Sequence, residues 1–582
     1  MAAGLEVAAG AAQVISLAFQ VFQGCIDAYN FCHTAQRIGV EGDLLRTKLQ
    51  IERYRLEEWA QCSRLNTSSP DARLNWSLVY DILEQQYTIL TSAEKLQSKY
   101  GLNLQDTEVV EEEKGEERAD VGLGTILRRL KPKLYSNSAS SQAIAKANGP
   151  WKRMQWAAGG RETVVKVIDD LGELNTHLER LLDIPDRTWL KVGMSVLLRD
   201  TLSHTTDLAQ VETLQALLRP TAGVGDASIA SAARFKRIRL VLGVDQRPGE
   251  TRPPQTPAIY SSMPRLKMLK EKRIKMIGAA LARTRGVQLA TYNNESVLVE
   301  WRHTDASKYD VLEKHMQALA LLLGNVDNSF ATLPCLGLTA SQECCRFALV
   351  YEVPVSAAEE HRSLLILHDV IARQRRMSLH SRLGIACKLA EAVLQLHTAG
   401  WLHKSIRSDN VVFLVDSPDI AESDGLGKPY LMGYDYARPE AESSLTELPE
   451  ASLRSDLYRH PDKRGSVATG YRKRFDLFAL GCVLAELALW EDLISTFSRL
   501  TAEDWHKAIE DAERTRKDLR LPSLVDFWQN PQFIEEISHA AGRRYLEAVQ
   551  LCLSNAAPVA GDDDASLDTQ RKVLETLQEC RV

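Results

Sequence analysis

The sequence predicts a multidomain chain, with an N-terminal all-α helical bundle followed by a C-terminal α+β domain. Three observations predict it. Over residues 1–220, apolar residues recur at three- and four-residue spacing in several long segments. Residues 221–264 then collect Gly223, Gly225, Pro248, Gly249, Pro253, Pro254, Pro257 and Pro264, the composition of a linker. Beyond 276, short apolar or alternating segments (297–302, 411–414) are interleaved with helical patterns such as Leu383, Ala386, Leu389, Ala390, Val393 and Leu396. The 582 residues are enough for two to four domains, and a net charge of −6 with 45% hydrophobic and 25% charged residues is ordinary for a soluble protein. No aromatic-basic motif and no strongly basic balance point to nucleic acid, so no nucleic-acid partner is expected. Ten cysteines without C-x-x-C spacing read as reduced thiols, and thirteen histidines form no H-E-x-x-H or similar cluster, so no metal is expected.

The first segment, 1–22, is apolar but lacks the basic start of a signal peptide. Glu6, Gln13 and Gln20 interrupt it, which makes it a poor constitutive membrane span. Glu6, Gln13, Gln20 and Asp27 are seven residues apart, and Ser16, Gln23 and Asn30 form a second such series. On a helix both fall in one polar stripe. Around it are small residues early and large ones later, with Val14, Ile15, Leu17, Phe19 and Phe22 as the candidate membrane-inserting side chains. By this pattern alone a buried bundle helix is favoured at rest. Entry into a bilayer is the alternative, with the polar stripe facing a pore or partner.

A second helix is expected over 42–62, with Leu45, Leu49, Leu56 and Trp59 inward. A third is expected over 75–98, with Val79, Ile82, Leu83, Ile89, Leu90, Ala93 and Leu96 inward. A charged flexible loop at about 105–150 begins with the acidic run 106–120. Basic residues follow it: Arg128, Arg129, Lys131 and Lys133, then Lys152 and Arg153. A fourth helix (162–182) carries Val164, Ile168, Leu171, Leu174, Leu178 and Leu181, and a long helical stretch runs over 189–218.

Three pieces of this region carry a resemblance. They are F-Q-V-F-Q-G-C-I-D-A-Y from Phe19, the R-L-x-x-W of Arg55, Leu56 and Trp59, and the W-A-x-x-G-R of Trp156, Ala157, Gly160 and Arg161 before the Val/Leu-rich helix. Together, residues 1–220 resemble the HeLo domain of the fungal prion-inhibition and propagation proteins, the HET-s-like group. That resemblance implies an all-helical bundle whose N-terminal helix enters the membrane on activation and kills the cell. It raises the membrane reading of 1–22. The amyloid-forming tail known in the group has no counterpart here, where the chain ends in an acidic stretch and a short helix (556–582).

The C-terminal half carries a second set of motifs. His403-Lys404-Ser405-Ile406-Arg407-Ser408-Asp409-Asn410 is similar to the H-R-D-L-x-x-x-N catalytic loop of protein kinases. Tyr430 to Arg438 is similar to the segment around D-F-G, Tyr458 to Asp462 to the A-P-E end of an activation segment, and Asp476 to Gly481 to the start of the large C-lobe helix. Residues 276–555 therefore resemble a bilobal protein kinase fold, with an N-lobe over 276–354 and a C-lobe over 355–555. A basic linker at 221–275 precedes it. Within that linker the patch 234–239 is expected to dock on a domain or a membrane, and 265–275 is expected to be helical.

The resemblance also shows what has been replaced. Ser405 stands where a kinase has its catalytic-base Asp, and a serine hydroxyl has no basicity near neutral pH. Gly433 stands at the metal-binding Asp, with Asp435 two positions on. The strand that should carry the phosphate-pairing lysine has none. Two registers fit, one placing Arg302 there and the other Glu300, which would repel phosphate. Glu313 is the candidate partner on the next helix. Asn410 and Arg407 are the remaining candidates for handling nucleotide, and bracing the loop is an equal reading for Asn410. No G-x-G-x-x-G precedes the strand. The expectation is a catalytically degenerate kinase fold, or pseudokinase, with no required cofactor and ATP binding left open.

A helical killer domain joined to a degenerate kinase is similar in architecture to necroptosis effectors of the MLKL type. The resemblance implies a cell-death or heterokaryon-incompatibility effector. It would be cytoplasmic at rest and at the plasma membrane on activation, with membrane lipid and further copies of itself as partners, and an upstream kinase or sensor protein acting on it. Ser443, Ser444 and Thr446, among acidic residues in 439–457, are the candidate switch hydroxyls, with ordinary loop residues as the alternative. An atypical ATP-binding kinase and a scaffold without membrane activity are the competing readings.

Overall fold

The computed structural model describes residues 2–34, 42–91 (except 68), 161–218, 227–243, 266–277, 287–354, 363–373, 377–415, 426–439, 453–464, 471–515, 519–554 and 567–580. The charged loop at 105–150, the W-A-x-x-G lead-in at 156–160, and Ser443, Ser444 and Thr446 lie outside them. The chain divides into two compact units. One comprises residues 1–201 with 212–217, and the other 202–211 with 218–582.

The first unit is all helix: α1 (Ala2–Thr34), α2 (Gly42–Cys62), α3 (Trp76–Thr91), α4 (Arg161–Leu181), α5 (Ile184–His204) and α6 (Leu208–Leu217). Its core collects Ala18, Phe22, Cys25 and Tyr29 from α1, Leu56 and Trp59 from α2, Val79 and Leu83 from α3, and Leu171 and Leu178 from α4. The seven-residue polar series has its predicted place, with Gln13, Gln20 and Asp27 all exposed. Of the candidate inserting residues, Phe22 is in the core, Val14, Ile15 and Phe19 pack against it, and Leu17 is exposed. Among the described residues no helix is long and apolar enough to cross a membrane.

The arginine and tryptophan of R-L-x-x-W lock α2 to α4. Arg55 donates to Glu52 Oε2 (2.9 Å), Glu179 Oε1 (2.8 Å) and Thr176 Oγ1 (2.9 Å), while Trp59 Nε1 donates to the Leu178 carbonyl (2.8 Å). Asn175 Nδ2 returns to Glu52 Oε2 (2.9 Å) and the Glu52 carbonyl (2.8 Å). The group is buried and internally satisfied, the condition under which a polar network specifies one packing.

The expected single helix over 189–218 is instead two, α5 and α6, separated at 205–207. The sequence there is Thr205-Thr206-Asp207. Two β-branched residues followed by a residue type favoured at helix N-termini make a break cheaper than continuation.

The second unit begins inside what the sequence presents as linker. α7 (Ala227–Leu242) is a regular helix with Ile229, Ala232, Ala233, Phe235, Ile238 and Val241 buried. The 265–275 segment is not helical over its described part. Leu269 N bonds the Leu338 carbonyl (2.8 Å) and Leu338 N the Lys267 carbonyl (3.0 Å), one short 3₁₀ turn follows, and the chain enters strand β1 (Ile274–Met276). Basic residues at these positions lie along a sheet edge, where charge protects against further pairing.

The sheet continues with β2 (Val287–Tyr292), β3 (Glu295–His303), β4 (Cys335–Ser341) and β5 (Arg346–Glu352), in the order β1-β2-β3-β5-β4, all named pairs antiparallel. α8 (Tyr309–Leu323) crosses between β3 and β4 and buries Leu312, Met316, Leu319 and Leu323. This is the small lobe.

The larger lobe is mostly helical: β6 (Ser363–Ile366), α9 (Leu367–Ala372), α10 (Leu379–Thr398), β7 (Trp401–Leu402), β8 (Val411–Val415), β9 (Tyr430–Leu431), β10 (Arg438–Pro439) and α11 (Leu453–Asp456), then α12 (Lys473–Leu489), α13 (Leu493–Thr501), α14 (Trp505–Thr515), α15 (Pro531–Ala541), α16 (Arg543–Ser554) and α17 (Leu567–Gln578). α12 is buried along nearly its whole length and is the axis of the core. α17, expected as part of an acidic tail, is built into that core through Val573 and Leu577. Its apolar stripe needs a partner surface, and α10 and α16 supply it.

Candidate functional site

The site is assembled on the loop between β7 and β8. Asp476, fully buried in the first turn of α12, holds that loop by its backbone. Its carboxylate accepts from His403 N (2.7 Å), Lys404 N (2.8 Å) and Tyr471 Oη (2.9 Å), and lies 3.2 Å from His397 Nε2. Burial pushes its pKa up, but bonds from His397 and His403 outweigh this and hold it below the ordinary aspartate value. His397 Nδ1 in turn meets Gln570 Oε1 of α17 at 2.8 Å. The loop turns at Lys404, whose φ of 67° is left-handed, a conformation that costs a residue with a side chain about 1–2 kcal/mol.

Three of the candidate residues are brought together. Asn410 Nδ2 donates to the Ser405 carbonyl (2.7 Å) and to Ser405 Oγ (2.9 Å). Gly433 has φ of 86°, and a β-carbon added there would lie 2.3 Å from Asn410 Nδ2. The Asn410 amide thus fills the space that any side chain at 433 would need. Of the two readings of Asn410, the loop brace is the contact present. Next to it, the His403 ring meets the Tyr434 ring edge to face at 4.6 Å. Burial lowers the His403 pKa to about 4, so the ring is neutral at pH 7.

The strand above the loop presents a carboxylate. Along β3, Val297, Val299 and Trp301 join one apolar cluster, so alternation puts Leu298, Glu300 and Arg302 on the opposite face. Glu300 is buried and accepts from Tyr351 Oη of β5 (2.8 Å). Burial, with Glu300 beside it, drives the Tyr351 hydroxyl pKa well up. Arg302 lies over the Tyr436 ring, 4.0 Å from its centroid. Glu313 is half-exposed on α8. Arg407 donates to Ser455 Oγ of α11, which ties the loop to the segment returning from the undescribed 440–452.

Sequence reasoning missed His315. It lies on the Leu312–Met316–Leu319 side of α8, and a polar residue inside that apolar stripe was the available signal. Burial, together with the nearby cations Arg438, Lys404 and Arg302, lowers its pKa to about 3. Residues of strand β3, the loop and β10 thus all lie near this one side chain of α8. The role of Glu486 was also missed. It lies deep in α12 and accepts from Tyr458 Oη (2.6 Å) and Leu493 N (3.1 Å), and burial raises its pKa to about 8. Among the described residues no group of three or more His, Cys, Asp or Glu is arranged to hold a metal ion, and all nine described cysteines are unbridged.

Comparison with known proteins follows the same division of the chain. Residues 7–217 match the HeLo family model, described as prion-inhibition and propagation. The C-terminal region is similar to protein kinases. "Mitogen-activated protein kinase 15" of Caenorhabditis elegans is 27% identical over 160 residues, covering 28% of this chain and 31% of that protein. "Eukaryotic translation initiation factor 2-alpha kinase 3" is 29% identical over 120 residues in Rattus norvegicus and 30% over 121 in Bos taurus, each covering 20% of this chain and 10% of the kinase. The chain thus spans about a third of the first relative's length and a tenth of the other two. The N-terminal helical region matches the HeLo family model and the C-terminal region is similar to protein kinases, consistent with a HeLo domain joined to a kinase-like fold.

Proposed function

We propose that this protein is a regulated cell-death or incompatibility effector of the fungal type, in which the HeLo bundle acts on membranes and the kinase-like fold restrains or triggers it without catalysing phosphoryl transfer. The observation that carries the second half is the Asn410 amide. It is spent on Ser405 and stands over Gly433, so the loop is closed on itself where a kinase holds metal and base. Glu300 is buried against Tyr351 on the face of β3 that also carries Arg302. These residues do not fit Mg²⁺-ATP, because Gly433 offers no metal ligand and Asn410 is engaged by Ser405.

The membrane half is supported by the HeLo match and by α1. Its apolar side chains are only partly committed to the core, with Leu17 exposed and Val14, Ile15 and Phe19 half-buried. On activation, we expect these residues to enter lipid at the plasma membrane in a homo-oligomer. Regulation of the kinase-like fold through its activation-segment region, residues 439–457, completes this reading. Phosphorylation at Ser443, Ser444 or Thr446 by an upstream kinase would supply that regulation. Inducible expression of the full chain and of residues 1–217, scored for cell death and for dye release from liposomes, tests the first half. Deleting residues 2–22, or Ile15→Lys with Phe19→Lys, should abolish release. Mg²⁺-dependent ATP turnover by the full chain would overturn the second half.

A further inference from the structure

Helix α7 carries a basic run, Arg234-Phe235-Lys236-Arg237-Ile238-Arg239, yet two of its cations are not at the surface. Lys236 is 1% and Arg239 4% exposed. Buried lysine and arginine are rare unless partnered, and here each donates to the carbonyls of a helix end. The Lys236 ammonium donates to the carbonyls of Leu202 and Ser203 (2.8 Å to the latter), in the last turn of α5. The Arg239 guanidinium donates to the carbonyls of Ala399 (2.8 Å) and Gly400, just past the last turn of α10. The last carbonyls of a helix have no partner within it and carry the negative end of its dipole, so each cation meets both a hydrogen-bonding need and a favourable field. Gly400 is matched to this arrangement. Its φ is 67°, and a β-carbon there would lie 2.8 Å from Arg239 Nη1. Next to Lys236 in the chain, Phe235 stacks on Phe330 (5.3 Å) and meets Trp401 edge-on (5.7 Å), which fixes the helix against both lobes of the kinase-like fold.

The two helix ends differ in what they lead to. Past the end of α10 come β7 and the 403–410 loop. The end of α5 opens residues 202–211, which belong to the kinase-like unit although the residues on both sides of them, up to 201 and from 212 to 217, belong to the bundle.

We propose that α7 is a two-headed cationic clasp in which Arg239 anchors it to the kinase-like fold and Lys236 holds the 202–211 excursion there. Withdrawal of Lys236 frees that excursion and is a step in releasing the bundle. The release part rests on the function proposed above, whereas the clasp itself does not.

Hydrogen exchange on the full chain, followed by dye release from liposomes containing anionic lipid, separates the two. Lys236→Met should speed exchange of the 199–206 amides about tenfold, because an uncompensated helix end opens locally. The 297–303, 347–351 and 473–489 amides should stay protected, and dye release should rise. Lys236→Gln retains a donor but no charge and should give a smaller acceleration in the same segment. It serves as the deciding variant if Lys236→Met loses protection everywhere. Unchanged exchange at 199–206 in a folded variant overturns the clasp, whatever the leakage. Faster exchange there without added leakage supports the clasp and overturns the membrane reading.

Discussion

Asp476 and Gly433 both touch the 403–410 loop, but from opposite sides of a division between scaffold and chemistry. Asp476 keeps a full set of donors in a dry setting, and through His403 N and Lys404 N it sets the path of the loop. At Gly433 there is no side chain, and the space is taken by an amide that points at Ser405. Asp476 gives the loop its shape, while Ser405, Asn410 and Gly433 close on one another beside it. A buried carboxylate cannot be removed without stranding its donors, so Asp476 carries more of the loop's stability than Ser405 does.

The contrast can be broken by substitution. The largest effect is expected at Asp476→Ala, which strands two backbone amides and the Tyr471 hydroxyl in a buried site. A loss of about 3–5 kcal/mol is expected in denaturant unfolding followed at the kinase-like unit. Gly433→Asp should cost about 1–3 kcal/mol, from the left-handed backbone and from displacement of Asn410, and it should not confer Mg²⁺ binding by calorimetry. Retained stability together with metal binding would mean that the site was only one residue from function. Glu486 predicts a pH dependence. Its folded pKa is raised, so between about 4.5 and about 8 the folded state holds a proton that the unfolded state has lost. Stability then falls as pH rises through that window, by up to about 1.4 kcal/mol per pH unit for an isolated group. Glu486→Gln should flatten the fall in melting temperature over pH 5–8. His403 has the opposite sign. Its pKa is lowered to about 4, so its contribution is present above about pH 6.5 and is lost as pH falls towards 4. The smallest effect is expected at Ser405→Asp, within about 1 kcal/mol in stability and with no phosphoryl transfer in a radiolabel assay, because the metal position and Glu300 are unchanged.

Much of this was legible from residue spacing. The exposed series Gln13, Gln20 and Asp27 follows from seven-residue spacing on a helix, and the inward Leu56 and Trp59 follow from three- and four-residue spacing. The loop, the 430–438 segment and Asp476 were legible as ordered motifs. What stayed hidden was where charged side chains end up. Lys236 and Arg239 read as part of a patch that docks on a domain or a membrane, and only the carbonyls of two other helix ends explain their burial. α17 read as tail, because a short amphipathic helix does not announce which surface will cover its apolar side. His315 read as nothing, because its setting is made by residues about 90 and 120 positions away, Lys404 and Arg438.

The sequence by itself determined the division of the chain into a helical bundle and a kinase-like fold, and the residue types at 302, 405 and 433. Those are matters of which residue types occupy which positions in a local pattern. Tertiary structure alone decided that Asn410 closes on Ser405, that Glu300 rather than Arg302 is paired with Tyr351, and that residues 227–242 of the presumed linker are a packed helix. Each depends on a side chain meeting a group distant in sequence or on the far side of a turn. Whether a buried charge is tolerated is settled by that partner and not by its neighbours along the chain.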